Sequence, residues 1–187
     1  MPNDLIIPII LGTAREGRRS EKVAHFVLDQ AKKHGFESEI IDVRDYILCA
    51  TDNTQATDKS KQLSEIVDKA DGLIVVTPEY NHSYPGELKM MMDQVYNEYK
   101  HKPVAFCGTS SGMMGGCRVI ELLRLYSIEL SLVPIRSAAY FANVGSLFND
   151  DGSIKDQSAL SAQADRLKII FDELAWYAGA LKSARNA

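Results

Sequence analysis

Three short stretches of this 187-residue chain hold the residues best suited to gripping a polar, flat ligand. In "GTAREGRRSEK" (residues 12–22), Gly12 permits a sharp turn, Thr13 and Ser20 offer hydroxyls, and Arg15, Arg18 and Arg19 offer positive charge. A helix is expected to begin just after, so its free backbone amides would face an anion, with phosphate the natural guest. Neither G-x-G-x-x-G nor G-x-x-x-x-G-K-[ST] occurs, which excludes the two common nucleotide loops of that spelling. The same loop also reads as a polar turn with solvated arginines and Ser20 as a helix cap.

"TPEYNHSYPGELK" (residues 77–89) follows the apolar run "GLIVV" directly. A plain strand-to-helix link needs about two to six residues and a cap. This one is longer, stiffened by Pro78 and Pro85, and rich in rings and hydrogen-bonding groups. Backbone amides between Glu79 and Ser83, flanked by Tyr80 and Tyr84, suit the polar edge of a planar heterocycle. Pro78 ending the strand, Ser83 capping the next helix and tyrosines in the core would explain part of it, but not "EYNH". A lone His82 carries no catalytic argument. The third stretch, "GTSSGMMGG" (residues 108–116), has four glycines and three hydroxyl residues in nine positions, so it can approach a ligand closely or simply turn flexibly.

The elements around these loops alternate. "LIIPIIL" (residues 5–11) reads as a strand covered on both faces, although Pro8 prefers an edge or a strand start. Val23, Ala24, Val27, Leu28 and Ala31 recur at helical spacing, with Gly35 as the stop. Residues 36–43 read as a second strand, "SEIVDKA" as the end of a second helix, and "GLIVVT" as a third strand. Leu88, Met91, Met92, Val95, Tyr96 and Tyr99 mark one face of a third helix. "PVAFCGT" is a fourth strand, "CRVIELLRLYSI" a fourth helix, and residues 130–138 a fifth strand whose Pro134 suggests an edge or bulge. Leu160, Ala164, Leu167, Phe171 and Leu174 define a final helix. Such alternation predicts a single α/β domain over residues 1–187, an open parallel sheet with helices on both faces. Ligands in such sheets bind beyond the carboxyl ends of the strands, where strand order reverses. The three unusual loops lie after strands one, three and four.

One loop for a phosphate, one for a ring edge and one for the ring's far end describe a mononucleotide. At this point the sequence resembles the NADPH-dependent FMN reductase family. "GTAREGRRSEKVA" looks like its Gly-Ser/Thr-x-Arg phosphate loop, "PEYNHSYPGELK" is similar to its Pro-Glu-Tyr-Asn segment, and "SSGMMGGCR" to its glycine-rich third loop. The resemblance implies a flavodoxin-like sheet of five strands in the order 2-1-3-4-5. It implies FMN with its phosphate at Thr13, Arg15, Ser20 and Arg18, and its ring beside Pro78, Glu79, Tyr80, Asn81, His82, Ser110, Ser111 and Gly112. It also implies NADPH (or NADH) as co-substrate and a homodimer, or a homotetramer when paired again. The dimer is expected largely on the third helix, where Met90 lies outside the core-facing stripe. "MM" at 113–114 and the methionines at 90–92 depart from the family's usual residues and bear on substrate preference.

The chemistry would be hydride transfer at the flavin, with no side chain acting as acid, base or nucleophile. The expected cycle is ping-pong, with NADPH and then a quinone, free flavin, azo compound or metal oxyanion at one place; the sequence does not choose among acceptors. Two other readings stay open, an FMN electron carrier docking to protein partners and a non-catalytic anion-binding domain.

Composition is compatible. Apolar residues make up 45% and charged residues 25%, as in ordinary globular proteins. A net charge of −4 argues against nucleic acid as partner, and the short apolar run near the start argues against a membrane span. Three cysteines with no C-x-x-C pair argue against a secreted disulfide scaffold, so a cytoplasmic setting is the expectation. His25, His34, His82 and His101 show no metal-ligand spacing.

Overall fold

A computed structural model describes residues 5–48 and 57–187; Cys49 and the first four residues lie outside them. The strands are β1 (Ile9–Leu11), β2 (Ile40–Asp42), β3 (Leu73–Pro78), β4 (Pro103–Thr109) and β5 (Val133–Phe141). The helices are α1 (Ser20–His34), α2 (Asp58–Lys69), α3 (Gly86–Met92), α4 (Cys117–Glu129), α5 (Val144–Leu147) and α6 (Gln157–Arg185). The five strands form one sheet in the order β2-β1-β3-β4-β5, every neighbouring pair parallel. That is the flavodoxin-like order, and it reverses between β1 and β3.

Residue alternation divides the core. Ile9, Leu11, Ile74, Val76, Ala105, Cys107, Ala139 and Phe141 face α1 and α6, against Val23, Val27, Ala31, Leu167, Ile170 and Phe171. Ile10, Val75, Val104 and Phe106 face the other side, against Leu63, Val67, Leu88, Met91, Val119, Ile120 and Leu123. Each fully buried aliphatic side chain is worth about 1.5–3 kcal/mol, so these two layers supply the main drive to fold. Among the described residues, no helix is long and apolar enough to cross a membrane.

Proline positions follow their chemistry. Pro8 stands just before β1, where its carbonyl accepts the Ile74 N–H at 3.1 Å and its missing donor costs the ladder little. Pro134 lies on the edge strand β5, whose pairing with β4 shifts register between Val104 and Phe106. β5 itself begins and ends three residues later than the sequence suggests.

The third helix is the main correction. It ends at Met92, not near Tyr99. Gln94 is buried and engaged on both ends of its amide: Nε2 donates to the Tyr46 carbonyl at 2.6 Å, and Oε1 accepts from Ser60 Oγ at 3.0 Å. Holding that amide turns the chain into a short 3-10 turn, Asn97–Tyr99, which buries Tyr99 and exposes Tyr96. The six-residue apolar stripe is therefore not one helix face; five of its members are buried and Tyr96 is not.

Candidate functional site

The loop after β1 is held from several directions. Gly12 donates its N–H to the Val76 carbonyl at 2.8 Å, and a Cβ there would stand 3.0 Å from Thr77 and Leu88 side-chain atoms. Thr13 is buried; its hydroxyl donates to Glu87 Oε1 at 3.0 Å and meets the Tyr80 hydroxyl at 2.9 Å. Glu87 Oε1 also accepts the Ala14 N–H at 2.9 Å. Burial opposes the charge on Glu87, but the Ala14 N–H and the Thr13 hydroxyl hold its carboxyl below the usual carboxylate value. Thr13 thus links the first loop to the second and to α3, with its hydroxyl already engaged.

Arg18 has a different task from the phosphate contact implied by the resemblance. It is buried, with Nη1 donating to the Thr13 carbonyl and to Asp42 Oδ1, both at 2.6 Å, Nη2 to Asp42 Oδ2, and Nε to Glu21 at 3.3 Å. Burial disfavours both charges; the Asp42 bonds nevertheless raise the Arg18 pKa, and the guanidinium lowers that of Asp42. Arg18 fixes the loop to the end of β2, and its charge is neutralised there.

Ser20 is not the cap of α1. The capping position is Arg19, which makes no side-chain cap bond, and Ser20 opens the helix itself. Its hydroxyl is buried and has no hydrogen-bond partner among the described residues. A buried hydroxyl left unsatisfied costs about 1–3 kcal/mol, which asks for an external partner. Arg15 and Arg19 are exposed beside it. The Arg15 guanidinium lies 4.1 Å from the centre of the Tyr80 ring, and Arg19 packs so close to Gly145 that a Cβ there would be 2.7 Å from its Nη1.

In the second loop, Tyr80 and Ser83 exchange backbone bonds, Tyr80 N–H to Ser83 O at 2.8 Å and Ser83 N–H to Tyr80 O at 2.9 Å. Asn81 and His82 between them have φ of 50° and 64°, the left-handed pair of a type I′ turn. Asparagine and histidine tolerate that region better than most side chains, which explains "NH" at the tip. The turn leaves the N–H groups of Asn81 and His82 with no acceptor among the described residues. Ser83 does not cap α3; Pro85 holds that position.

Ser110 shapes the third loop, its hydroxyl donating to the Gly112 carbonyl at 2.7 Å and accepting the Gly115 N–H at 2.9 Å. Gly115 has φ of 58°, and a Cβ there would lie 2.7 Å from that of Tyr140, so the loop is pressed onto β5. The N–H groups of Ser111 and Gly112 donate to no other backbone group among the described residues. Cys107, buried in β4 behind this loop, has its thiol pushed up to about 12 by burial and is a packing residue.

The three loops meet at one cavity of about 450 Å³, lined by Arg15, Arg18, Ser20, Pro78, Glu79, Tyr80, Ser110, Ser111 and Gly112 of the expected set. Thr13, Asn81 and His82 do not line it: Thr13 lies behind, and the other two form an exposed turn tip. Gly17, Arg19, Thr109 and Val144 line it unexpectedly. Arg19 and Gly17 belong to the same basic loop, but nothing in the sequence marks Val144, which arrives from beyond β5. A slightly larger groove, about 490 Å³, runs beside α1 and residues 148–154, with Arg18 at its edge and acidic and basic groups mixed. Among the described residues, no cluster of three or more His, Cys, Asp or Glu is placed to hold a metal ion.

The cavity fits a phosphorylated planar ligand. A hydroxyl without an internal partner among the described residues and a helix start offer donors at one end, and the N–H groups of Ser111 and Gly112 lie along the other, with the Asn81–His82 turn tip outside the lining. Comparison with known proteins agrees. An FMN-dependent NADPH-azoreductase of Staphylococcus aureus is 34% identical over 155 residues, covering 78% of this chain and 81% of that protein. FerB, a flavoenzyme NAD(P)H:acceptor oxidoreductase from Paracoccus denitrificans, superposes with a TM-score of 0.79 at 22% identity, covering 92% of this chain and 98% of that one. A flavodoxin from Streptococcus pneumoniae shares the fold more distantly, at a TM-score of 0.51 and 14% identity over 91% of this chain and 97% of that one. With the family's model matching residues 6–146, from the first strand into α5, the chain belongs to the NADPH-dependent FMN reductase family.

Proposed function

We propose that this member of the family works as an FMN-dependent NAD(P)H oxidoreductase that serves a small acceptor in a ping-pong cycle at one open site. The observation that carries the reading is the Ser20 hydroxyl, buried without a partner among the described residues at the start of α1 and bordering the cavity where the three loops meet. Ser20, Arg15 and Arg19 would hold the FMN phosphate, while the 80–83 turn and Ser111–Gly112 would face the ring. Bound there, FMN would supply the two-electron redox chemistry between NADPH and the acceptor. The chain supplies donors already in position: free N–H groups at Asn81, His82, Ser111 and Gly112 suit negative charge on a ring edge. Tyr80, held by Thr13 and covered by Arg15, stiffens that side. A quinone, a free flavin, an azo compound or a metal oxyanion would serve as acceptor.

Anaerobic mixing tests this. FMN-loaded protein should be bleached by NADPH with no acceptor present, and a quinone or azo dye added afterwards should restore the yellow colour. Initial rates at several fixed acceptor concentrations should give parallel double-reciprocal lines; intersecting lines would mean a ternary complex and end the one-site cycle. Yellow protein that NADPH fails to bleach would instead fit an electron carrier. The free thiols Cys107 and Cys117 support a cytoplasmic setting.

The reading includes a second copy of the chain as partner, for which α4 offers a broader exposed apolar face than α3. On α3, Leu88, Met91 and Met92 are buried against the protein's own sheet, and the Met90 sulfur accepts the Leu48 N–H at 3.3 Å. On α4, Leu122, Leu125 and Ile128 are exposed at 38%, 67% and 63%, with Met114 just before the helix at 51%. Spacing of three residues puts them on one helix face. Sedimentation at micromolar concentration should show a dimer for wild type and for Met90→Glu, and a monomer for Leu125→Glu with Ile128→Glu. Wild type that is monomeric throughout that range would remove the dimer.

A further inference from the structure

We propose that Glu79 and Arg118 form a clasp that positions the ring end of the flavin site, by holding the 80–83 turn against the start of α4. The Glu79 carboxylate is almost covered, its side chain 10% exposed. Its Oε2 accepts the Arg118 backbone N–H at 3.2 Å, and its Oε1 accepts from Arg118 Nη1 at 3.1 Å. The Glu79 N–H donates to the Thr109 carbonyl at 3.3 Å, so the backbone at this residue is also tied to β4.

The helix explains why such a residue is needed. The position capping α4 is Gly116, which has no side chain to offer, and the first turn of α4 contains no acidic residue. Glu79, 39 residues away in sequence, supplies the missing anion to the free amides and to the positive end of the helix dipole. The starts of α1 and α4, both at this edge of the sheet, differ. The start of α4 is occupied by an internal carboxylate, whereas the start of α1 presents the unpartnered Ser20 hydroxyl. An anionic ligand end is therefore directed to α1, and the uncharged ring to the side where the clasp lies. Because Arg118 is 45% exposed, the ion pair by itself contributes little to stability. Its consequence is geometric: it sets the distance between the Asn81–His82 amides on one loop and the Ser111–Gly112 amides on the other. Glu79 is on this account a positioning residue, not a ligand.

The inference rests on the FMN reading, and the test separates the two. FMN and riboflavin are titrated against the full chain carrying Glu79→Ala, Glu79→Gln or Arg118→Ala, with the visible spectrum of the bound flavin and thermal melting recorded alongside. Glu79→Ala should weaken both flavins by the same factor, about tenfold, and shift the visible band, leaving the FMN-to-riboflavin ratio unchanged. Glu79→Gln, which keeps an acceptor for the Arg118 N–H, should recover most of the affinity. If Glu79→Ala does not fold, Arg118→Ala decides, with a loss of about threefold or more on both flavins expected for half of the clasp. Variants within twofold of wild type with unchanged spectra would overturn the clasp, and so would a loss confined to FMN. Wild type that takes up neither flavin would overturn the FMN reading itself, and the clasp with it.

Discussion

Alanine at both Ser20 and Arg15 is expected to weaken FMN binding by about 100-fold while changing riboflavin binding only about threefold or less. The two ligands differ by the phosphate, and these two residues lie where the phosphate would enter. A hydrogen bond to a charged group contributes about 1.5–3 kcal/mol, and the loss of a nearby cation adds to it. Ser20 makes the experiment sharp, because its hydroxyl has no partner among the described residues. Removing it alone should leave the ligand-free protein as stable as before, or slightly more so, since an unsatisfied buried group disappears. The Arg15 side chain lies over the Tyr80 ring, an exposed cation–π pair of about 0.5–1 kcal/mol, and its charge also helps to hold the Glu87 carboxyl below its usual value. Fluorescence titration with both flavins and a melting curve without ligand would measure all three quantities. Equal losses for FMN and riboflavin would remove the phosphate from this loop.

Asp42→Asn is expected to destabilise the protein by about 3 kcal/mol at neutral pH, the scale for a buried charge that loses its partner. Arg18 is the charge left behind: it is 6% exposed, and among the described residues Glu21, itself 45% exposed at the side chain, is the one carboxylate still paired with it. The pH dependence has a definite sign. The folded pKa of Asp42 is lowered, by the Arg18 bonds and the Arg44 N–H acting against burial, so the unfolded chain binds a proton first as pH falls. The stability from this carboxylate is fully present above about pH 5 and is lost as pH drops from the unfolded value near 4 through the lower folded value. Urea unfolding of wild type and variant at pH 7 and again near pH 3 should show the difference shrink. A difference of equal size at both pH values would mean that geometry, not charge, holds the loop. The variant should also bind FMN more weakly, because Arg18 ties the Thr13 carbonyl to β2.

Much of the architecture lies in short windows of the sequence. β4 begins at Pro103 and ends at Thr109, as its apolar run suggests, and Gly35 ends α1 with φ of 100°. Period-two and period-3.6 patterns need only neighbouring residues, and glycine or proline act on their own backbone, so these features are readable without knowing the fold. The three loops were recognisable for the same reason: an Asn-His pair at a left-handed turn and glycines at the third loop are local chemistry.

The long-range contacts set by the tertiary structure decided the rest. Arg18 and Ser20 stand two positions apart in one basic, hydroxyl-bearing loop and look like equal phosphate contacts. Asp42, 24 residues onward, neutralises Arg18, while among the described residues none bonds the Ser20 hydroxyl. Glu79 looks like a ring contact beside Tyr80 until α4 brings Arg118 to its carboxylate. The third helix stops at Met92 although its apolar stripe continues, because Gln94 finds the Tyr46 carbonyl and the Ser60 hydroxyl, 48 and 34 residues away. In each case the local pattern allowed more than one outcome. The choice depended on the desolvation of a polar group, whose partner only the packed sheet and its crossovers bring near.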